Sequence, residues 1–325
     1  MHLKNPLIII IGPTAVGKSS VGVELAAKIN AEIISGDSMQ IYKGMDIGTA
    51  KIKIKDQFAS NGFFIPHHLV DILEPDQPFS VSDFQLLARR LIKSIQKRGK
   101  KPLIVGGTGL YIQSIIDKYI FMPQHDELLI KIRKDLQQKL AEKGNLALYD
   151  ELQKTDPIAA EKIHINDAKR IIRALETFHL TGHRLSDNWL LKSPGYQSEY
   201  NPLSIIGLTM SRDELYQRIN ARVDQMITDG LVGEVHELLV KGYHENFKSM
   251  QSIGYKEICS YLKGEYSLEN AISQIKMATR RFAKRQLTWF LKDKRIKWFN
   301  VLNYRSVPEI VSEIDQHLGG QHPTM

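Results

Sequence analysis

The feature that most constrains the fold of this chain lies in its first 29 residues. The aliphatic run Leu7–Ile11 is followed by the octapeptide G-P-T-A-V-G-K-S and then by a stretch whose apolar spacing predicts a helix over 21–29. The octapeptide matches G-x-x-x-x-G-K-[ST], which folds into a phosphate-binding loop when it lies between a strand and a helix. In such a loop, backbone N–H groups and the start of the helix converge on an anion. The predicted phosphate site comprises Gly12, Pro13, Thr14, Ala15, Val16, Gly17, Lys18 and Ser19.

Two side chains of this loop carry predicted chemistry. The ammonium group of Lys18 would neutralise the terminal phosphate of a ligand, and the hydroxyl of Ser19 is placed to bind Mg²⁺. We therefore expect Mg²⁺ as the cofactor. The loop alone does not say what happens to the phosphate that it holds.

The remaining pattern predicts an α/β fold, with a P-loop NTPase-like parallel sheet core, helices on both faces and a mostly helical insertion domain. Short apolar runs alternate with turns and with stretches of helical spacing, which is typical of crossover connections between parallel strands. The predicted strands span 7–11, 32–35, 102–105 and 203–210. The predicted helices of the core span 21–29, 81–97, 212–241, 252–262 and 268–292.

The character of the chain changes after residue 122. Apolar residues such as Leu128, Ile132 and Leu136 recur at steps of four, and no strand-like run interrupts them before residue 200. This change predicts an insertion into the core. The predicted domains are a discontinuous core over 1–122 and 201–318, a helical insertion over 123–200, and a disordered tail over 319–325.

Composition excludes several classes of protein. The 325 residues include one cysteine, Cys259, so the chain can form neither an internal disulfide nor a cysteine-framed zinc site. The longest aliphatic run has five residues, far short of the ~20 that span a bilayer. We therefore expect no membrane segment and a cytoplasmic protein. The formal net charge of +8 indicates either simple solubility or a polyanionic partner, depending on where the charges lie.

Residues at the predicted strand ends narrow the range of reactions that the site could catalyse. Hydrolytic NTPases place an acid after an apolar strand to hold Mg²⁺ and orient water, but the strand at 102–105 is followed by Gly-Gly-Thr-Gly. Asp71 is another candidate for that acid. Asp37 and Thr108 follow neighbouring predicted strands, so both could face the phosphate loop at one edge of the sheet. On residue type alone, Asp37 could equally be a helix cap.

Five segments of unusual composition occur in order along residues 8–299. They are the phosphate loop, S-G-D-S-M-Q-I-Y-K-G-M-D-I-G-T-A-K at 35–51, V-G-G-T-G-L-Y at 105–111, I-G-Y-K-E at 253–257 and K-R-Q-L-T-W-F at 284–290. Together they resemble the tRNA dimethylallyltransferase (tRNA isopentenyltransferase) family, in its shorter bacterial form. The resemblance implies transfer of a dimethylallyl group from its diphosphate to N6 of the adenosine immediately 3′ of the anticodon (position 37), assisted by Mg²⁺.

The resemblance also implies catalytic roles. Asp37 would accept the proton that the adenine amine loses, with Thr108 bracing Asp37 or the transferring atom. Lys18, Arg222 and a Mg²⁺ ion held through Ser19 would neutralise the departing diphosphate. No attacking water needs an orienting acid in this reaction, which accounts for the absence of one after residue 105. Arg222 could instead lie on a solvated helix face.

The surplus of positive charge is concentrated in two segments. Residues 270–292 contain no Asp or Glu, and on a helix their six basic residues share one half of the circumference, opposite Ile275 and Trp289. We predict that the basic face binds the phosphate backbone of a nucleic acid and that Trp289 lies in the core. A second basic cluster lies in the insertion. The residues of the two clusters are Lys276, Arg280, Arg281, Lys284, Arg285 and Lys292, and Lys169, Arg170 and Arg173.

The predicted partners are the anticodon stem–loop of tRNA and dimethylallyl diphosphate, bound by a monomer. Relatives tend to carry an arginine near the start of the insertion, and here either Lys131 or Arg133 could replace it. From the resemblance and the basic clusters, the predicted tRNA contacts are Asp37, Ser38, Met39, Gln40, Thr108, Lys169, Arg170, Ile171, Ile172, Arg173, Gln251, Ser252, Ile253, Gly254, Tyr255, Lys256, Arg280, Arg281, Lys284, Arg285, Gln286 and Thr288.

Three other functions share parts of this pattern. A P-loop nucleotide or nucleoside kinase would have the same loop and sheet and an inserted lid, but no use for the basic helix. An enzyme that prenylates free adenine nucleotides would share the chemistry, and a non-catalytic RNA-binding protein would share the charge. The adjacent His67 and His68 suggest a metal site, but neighbouring residues on a strand point to opposite faces, so we expect a structural role.

Overall fold

The computed structural model shows a parallel sheet and describes residues 6–117, 121, 127–187 and 198–319. The strands are β1 (Leu7–Ile11), β2 (Ala31–Ser35), β3 (His67–His68), β4 (Lys101–Gly106), β5 (Leu203–Thr209) and β6 (Ile296–Asn300). Within the described residues they form one sheet in the order β3-β2-β4-β1-β5-β6, and every neighbouring pair is parallel. The predicted α/β class is confirmed.

Helices connect these strands and form the insertion. They are α1 (Lys18–Ile29), α2 (Val81–Lys97), α3 (Gly109–Ile116), α4 (Glu127–Thr155), α5 (Pro157–Lys162), α6 (Ala168–Thr181), α7 (Arg212–Thr228), α8 (Leu231–Val240), α9 (Tyr255–Leu262), α10 (Leu268–Phe290) and α11 (Val307–Gly319). Short 3₁₀ turns lie at Ile54–Gln57 and Val301–Asn303. In the described part of the chain, no helix combines the length and the apolar character that a membrane span requires.

Strand β1 belongs to two hydrophobic cores, one on each face of the sheet. Leu7, Ile9 and Ile11 pack with side chains from α2, α3, α9 and α10, whereas Ile8 and Ile10 pack with α1 and α11. Successive residues of a strand point to opposite faces, so this division follows from the strand geometry. Because helices cover both faces, all five residues are buried and the strand reads as an uninterrupted aliphatic run.

The structure corrects several predicted elements. The helix expected over 212–241 is two helices, α7 and α8, because Gly230 adopts a left-handed conformation with φ of 101° between them. Strand β6 and helices α3, α5 and α11 were not predicted. Gly319 is the last residue of α11 and therefore does not belong to a disordered tail, while residues 320–325 lie outside the described part of the chain.

The chain divides into two units, residues 1–116 with 199–325 and residues 117–198. These divisions lie beside the boundaries expected at 122 and 201. The second unit is helical in its described part: α4, which is broken at Gly144, packs with α5 and α6 around Leu148, Leu152 and Ile171. Helix α6 is capped at its C-terminal end by Gly182, which is left-handed with φ of 72°.

Candidate active site

Three neighbouring strands end at one edge of the sheet, and each leads into a predicted site segment. The phosphate loop follows β1, Asp37 follows β2 and Thr108 follows β4. Because β2, β4 and β1 are adjacent and parallel, the structure brings these three segments together. Ligands of open α/β sheets bind at this carboxyl edge.

The phosphate loop is held in a conformation that requires its glycines. Gly12 has φ of 152°, and a Cβ atom there would lie 2.6 Å from the carbonyl oxygen of Leu208. Gly17 is left-handed, with φ of 99°, and α1 starts at the next residue. The ammonium group of Lys18 folds back over the loop and donates to the carbonyl oxygens of Gly12 (3.0 Å) and Pro13 (2.7 Å). The loop therefore presents the start of a helix and one lysine to an incoming anion.

Burial lowers the pKa of Lys18 to about 8, although the negative charge of Asp37 partly opposes this shift. The positive charge of Arg222 lowers the pKa further. An anion bound in the loop would favour the protonated form. The same interactions show that Lys18, Asp37 and Arg222 share one electrostatic environment.

Asp37 and Thr108 are fixed by backbone contacts between the ends of β2 and β4. Oδ1 of Asp37 accepts from the N–H of Met39 (2.8 Å), and Oγ1 of Thr108 accepts from the N–H of Ser38 (3.1 Å). A Cβ atom on Gly106 would lie 2.3 Å from the carbonyl oxygen of Gly36, so these strand ends can approach only because glycine is present. Within the described residues Oδ2 of Asp37 has no hydrogen-bond partner and is available to a substrate.

Two cavities meet beside these residues. One, of about 420 Å³, is lined by Asp37, Arg222 and the segment 251–254. The other, of about 680 Å³, is lined by Ser19, Arg222 and Lys53. They share Arg222, which has no hydrogen-bond or ion-pair partner in the described part of the protein. A guanidinium without a carboxylate partner beside a phosphate loop is suited to bind a phosphate group.

The segment Gly44–Lys51 forms a wall between the two cavities, and its conformation depends on residues that the sequence did not reveal. The carboxylate of Glu234 accepts from the backbone N–H groups of residues 46 (2.9 Å), 47 (2.7 Å) and 48 (3.2 Å), and from the hydroxyl of Tyr255 (2.5 Å). Tyr255 packs against Gly48, where a Cβ atom would lie 2.4 Å from the ring. An acid in the first turn of a helix is common for electrostatic reasons, so Glu234 carried no separate signal.

The wall segment is also tied internally by Lys51. Its ammonium group is buried, donates to the carbonyl oxygen of Tyr42 (2.7 Å) and forms ion pairs with Asp46 and Asp71. Asp71 is therefore part of a structural ion pair in this protein.

The residues at the phosphate loop are compatible with a metal ion that binds together with a phosphate-containing ligand. Ser19 is exposed and lines the larger cavity, and the described residues contain no group of three or more His, Cys, Asp or Glu side chains able to hold a metal ion. Mg²⁺ commonly keeps several waters and binds through one or two protein groups together with substrate phosphates. One hydroxyl beside a phosphate loop matches that pattern.

The protein was compared with known families and structures. A family model described as IPP transferase matches residues 40–293, which is well over half of the chain. The chain belongs to the IPP transferase family. Proteins named tRNA dimethylallyltransferase from Carboxydothermus hydrogenoformans and Heliobacterium modesticaldum are 55% and 52% identical, over 92% and 90% of this chain and 93% and 88% of their own.

Solved structures give the same assignment. The tRNA isopentenylpyrophosphate transferase of Bacillus halodurans is 45% identical, with a TM-score of 0.72 over 98% of this chain and 97% of its own. A eukaryotic dimethylallyltransferase acting on tRNA is 27% identical, with a TM-score of 0.81 over 97% of this chain and 80% of its own. The predicted family is confirmed.

Most of the predicted tRNA contacts of the core line the smaller cavity. They are Asp37, Ser38, Met39, Gln251, Ser252, Ile253, Gly254, Lys256 and Arg285. The hydroxyl of Ser252 is buried and has no hydrogen-bond partner in the described structure. Whether these residues contact tRNA stays a prediction.

The side chains of other predicted tRNA contacts are engaged in contacts within the protein. Tyr255 is fully buried against Glu234, and Ile171 is buried in the insertion core. Gln40 is bonded to Ser35 (3.2 Å) and to the carbonyl oxygen of Ala50 (3.3 Å). Gln286 is buried between the phosphate loop and β4. In the structure, these four side chains are engaged in packing or hydrogen bonds within the protein.

The basic residues of helix α10 fall into two groups, those that have a partner among the described residues and those that do not. Lys276 is paired with Asp224 (2.6 Å), and Arg280 donates to Oδ1 of Asn220 (2.7 Å). Arg281 and Lys284 are exposed and have no ion-pair partner in the described part of the chain. The prediction for Trp289 was wrong: this side chain is 40% exposed and covers Gly109, where a Cβ atom would lie 2.4 Å from the indole ring.

The insertion cluster shows a similar division. Glu176 is buried and bonds Arg133 (2.6 Å) and Arg173 (3.3 Å). Its carboxylate raises the pKa of Arg133. Lys131 and Lys169 are exposed and have no partner among the described residues. Of the two candidates left open by the sequence, Lys131 is the one free to meet a phosphate.

The two histidines have structural partners. The Nδ1 atom of His67 lies 2.8 Å from the carbonyl oxygen of Ile65, and Nε2 of His68 lies 2.7 Å from the carboxylate of Glu32. Burial would raise the pKa of Glu32, but hydrogen bonds from Arg98 and His68 lower it to about 2. This cluster stabilises the β2 and β3 edge of the sheet.

Proposed function

We propose that this protein transfers a dimethylallyl group from dimethylallyl diphosphate to N6 of the adenosine immediately 3′ of the anticodon of tRNA, with release of diphosphate. The observation that carries the proposal is the placement of a phosphate loop and an available carboxylate oxygen of Asp37 at one cavity. The relatives named tRNA dimethylallyltransferase and the eukaryotic enzyme that acts on tRNA support the same reaction.

The arrangement can perform this chemistry in one site. The C–O bond between the allylic carbon and the diphosphate breaks, and the electron pair leaves with the diphosphate oxygen. The backbone of the phosphate loop, Lys18 and Arg222 would stabilise this growing negative charge. Mg²⁺, bound through Ser19 and the phosphates, would supply additional positive charge.

The nucleophile is an exocyclic amine whose lone pair is delocalised into the purine. As nitrogen bonds to the allylic carbon, its proton must leave, and Oδ2 of Asp37 is the group placed to accept it. Thr108 holds the segment that carries Asp37 through its bond to Ser38 (3.1 Å). Asp37 would therefore both aim and deprotonate the amine.

The basic residues suit an RNA partner. Lys284 and Arg281 on α10 and Lys169 on α6 are exposed cations without carboxylate partners in the described structure, as contacts to a phosphate backbone require. We propose that the partner is an anticodon stem–loop.

A kinase is not favoured, because the family and its relatives are transferases of the prenyl type. We further propose a monomer that works in the cytoplasm, since a single, buried cysteine, Cys259, fits a reducing compartment.

The test uses the purified protein, dimethylallyl diphosphate, Mg²⁺ and an unmodified anticodon stem–loop. We expect digestion and mass spectrometry to reveal N6-isopentenyladenosine at the position 3′ of the anticodon, and no product when that adenosine is replaced by guanosine. Parallel reactions with AMP and with radiolabelled ATP examine the alternatives. Modification of AMP alone, or phosphate transfer from ATP, would contradict the proposal.

A further inference from the structure

The side-chain amide of Gln286 lies where two segments of the site meet. Gln286 is part of the basic helix α10, yet it is only 6% exposed. Its Oε1 atom accepts from the backbone N–H of Thr14 (2.8 Å), and its Nε2 atom donates to the carbonyl oxygen of Gly107 (3.0 Å). One amide thus connects the phosphate loop after β1 to the turn after β4.

Each of these bonds fixes a peptide plane that is also held on its other side. The plane between Pro13 and Thr14 has its carbonyl oxygen bonded to Lys18 (2.7 Å) and its N–H bonded to Gln286. The plane between Gly107 and Thr108 has its carbonyl oxygen bonded to Gln286 and its N–H bonded to the Gly36 carbonyl (3.2 Å). Both planes are therefore prevented from rotating.

The geometry requires an amide at this position. A carboxylate could accept from Thr14 but could not donate to the Gly107 carbonyl, and an alkyl group could do neither. The amide also packs tightly against Gly107, because a Cβ atom on Gly107 would lie 2.2 Å from Nε2 of Gln286. The neighbouring Lys284 and Arg285 are exposed, so the same helical stretch presents cations outward and one amide inward.

We propose that Gln286 is a positioning residue, which sets the phosphate loop and the Thr108 turn in their binding geometry, and that it does not contact tRNA. This inference rests on the proposed function, since it assigns the loop to the diphosphate of the substrate. It separates two roles within one helix: the outward cations bind RNA, and the inward amide arranges the diphosphate site.

The test compares Gln286→Ala with the matched variant Lys284→Ala on the same helix. Two affinities are measured: that for inorganic pyrophosphate with Mg²⁺, by calorimetry, and that for an unmodified anticodon stem–loop, by fluorescence anisotropy. For Gln286→Ala we expect the Kd for pyrophosphate to rise by about tenfold, while the Kd for the stem–loop changes less than about twofold. For Lys284→Ala we expect the opposite pattern, because a lost phosphate contact weakens RNA binding alone.

A second variant keeps the test valid if truncation of Gln286 impairs folding. Gly107→Ala places a methyl group where the amide lies, so it should raise the Kd for pyrophosphate to a similar extent. The double variant Gly107→Ala, Gln286→Ala should be no weaker than either single variant, because the two changes remove the same interaction. Circular dichroism and thermal melting verify the fold of each variant.

The outcomes separate the two proposals. A Gln286→Ala protein with weakened stem–loop binding and unchanged pyrophosphate binding would overturn the inference and restore Gln286 as a tRNA contact. Unchanged affinity for both ligands would also overturn it. A wild-type protein that binds neither ligand would overturn the proposed function itself and the inference with it.

Discussion

One carboxylate oxygen of Asp37 holds its own loop, and the other is available to a substrate. Oδ1 is bonded to the Met39 N–H (2.8 Å), whereas Oδ2 has no partner in the described structure. In Asp37→Asn the amide oxygen can still accept from Met39, but the basic group is lost. We therefore expect single-turnover transfer to fall by about 100-fold or more, with pyrophosphate affinity nearly unchanged. Rapid-quench measurements with saturating substrates test this, and an unaltered rate would exclude Asp37 as the base.

Lys18 predicts a pH dependence of diphosphate binding. Burial lowers its pKa to about 8, and a bound anion favours the protonated form. Below pH 8 the lysine is already protonated and contributes fully to affinity. As the pH rises above 8, binding must take up a proton, so this contribution should shrink by about tenfold per pH unit.

The measurement for Lys18 is the ratio of pyrophosphate affinities of the wild type and Lys18→Ala between pH 6.5 and about 9.5. Ionisation of the ligand affects both proteins equally and cancels in the ratio. We expect a constant ratio at low pH and a decline that begins near pH 8. A ratio that stays constant to the upper limit would show that Lys18 remains protonated in the empty site.

At the scale of elements, Glu234 joins α8 to the wall segment Gly44–Lys51. Its two carboxylate oxygens accept four hydrogen bonds, three from backbone N–H groups and one from Tyr255. In Glu234→Gln, one oxygen becomes an NH₂ group that faces donors. We expect the free energy of unfolding to fall by about 2 kcal/mol and KM for the stem–loop to rise, since the wall lines the cavity beside Asp37.

Glu237→Gln is the matched control for this prediction, because Glu237 is exposed on the same helix. It removes the same charge from α8 without changing the wall. Urea denaturation of both variants gives the stability difference, and steady-state kinetics give KM. Equal stability and equal KM in the two variants would mean that Glu234 does not hold the wall in place.

Elements with a local signature could be predicted from the sequence. β1, the phosphate loop and α1 carry a motif and an aliphatic run, and the predicted strand 203–210 differs from β5 by one terminal residue. β6 was missed because Ile296–Asn300 mixes charged, aromatic and amide residues, as a strand at the edge of a sheet can. α7 and α8 were merged because helical spacing continues through Gly230, and only the backbone conformation reveals the break.

Prediction from the sequence was more limited for the candidate site than for the fold. Asp37, Thr108 and Lys18 follow strand ends or belong to a motif, so sheet topology brings them together. Gln286 and Glu234 act on segments that are 272 and 188 residues away in the sequence. Glutamine and glutamate are common residues of helices, so neither residue stands out in the sequence. Only the packing of α8 and α10 against the strand-end loops gives them a role.

For the whole molecule, the net charge of +8 can be divided into paired and available cations. Arg173 and Lys276 are bound to Glu176 and Asp224, respectively. Arg281, Lys284 and Lys169 are exposed and have no carboxylate partner in the described residues. The predicted RNA-binding charge is therefore smaller than the sequence count, and it lies on both α10 and the insertion helix α6.

This division predicts the salt dependence of tRNA binding. Each lost phosphate contact should reduce the slope of log Kd against log salt concentration by about 1. We expect the double variant Arg281→Gln, Lys284→Gln to reduce the slope by about 2 and Lys169→Gln by about 1, whereas Lys276→Gln, which removes a paired cation of the same helix, should leave it unchanged. Anisotropy titrations of an anticodon stem–loop at several salt concentrations measure these slopes. An unchanged slope in Lys169→Gln would remove α6 from the RNA-binding surface, and an equal loss in Lys276→Gln would show that pairing with Asp224 does not withhold its charge from RNA.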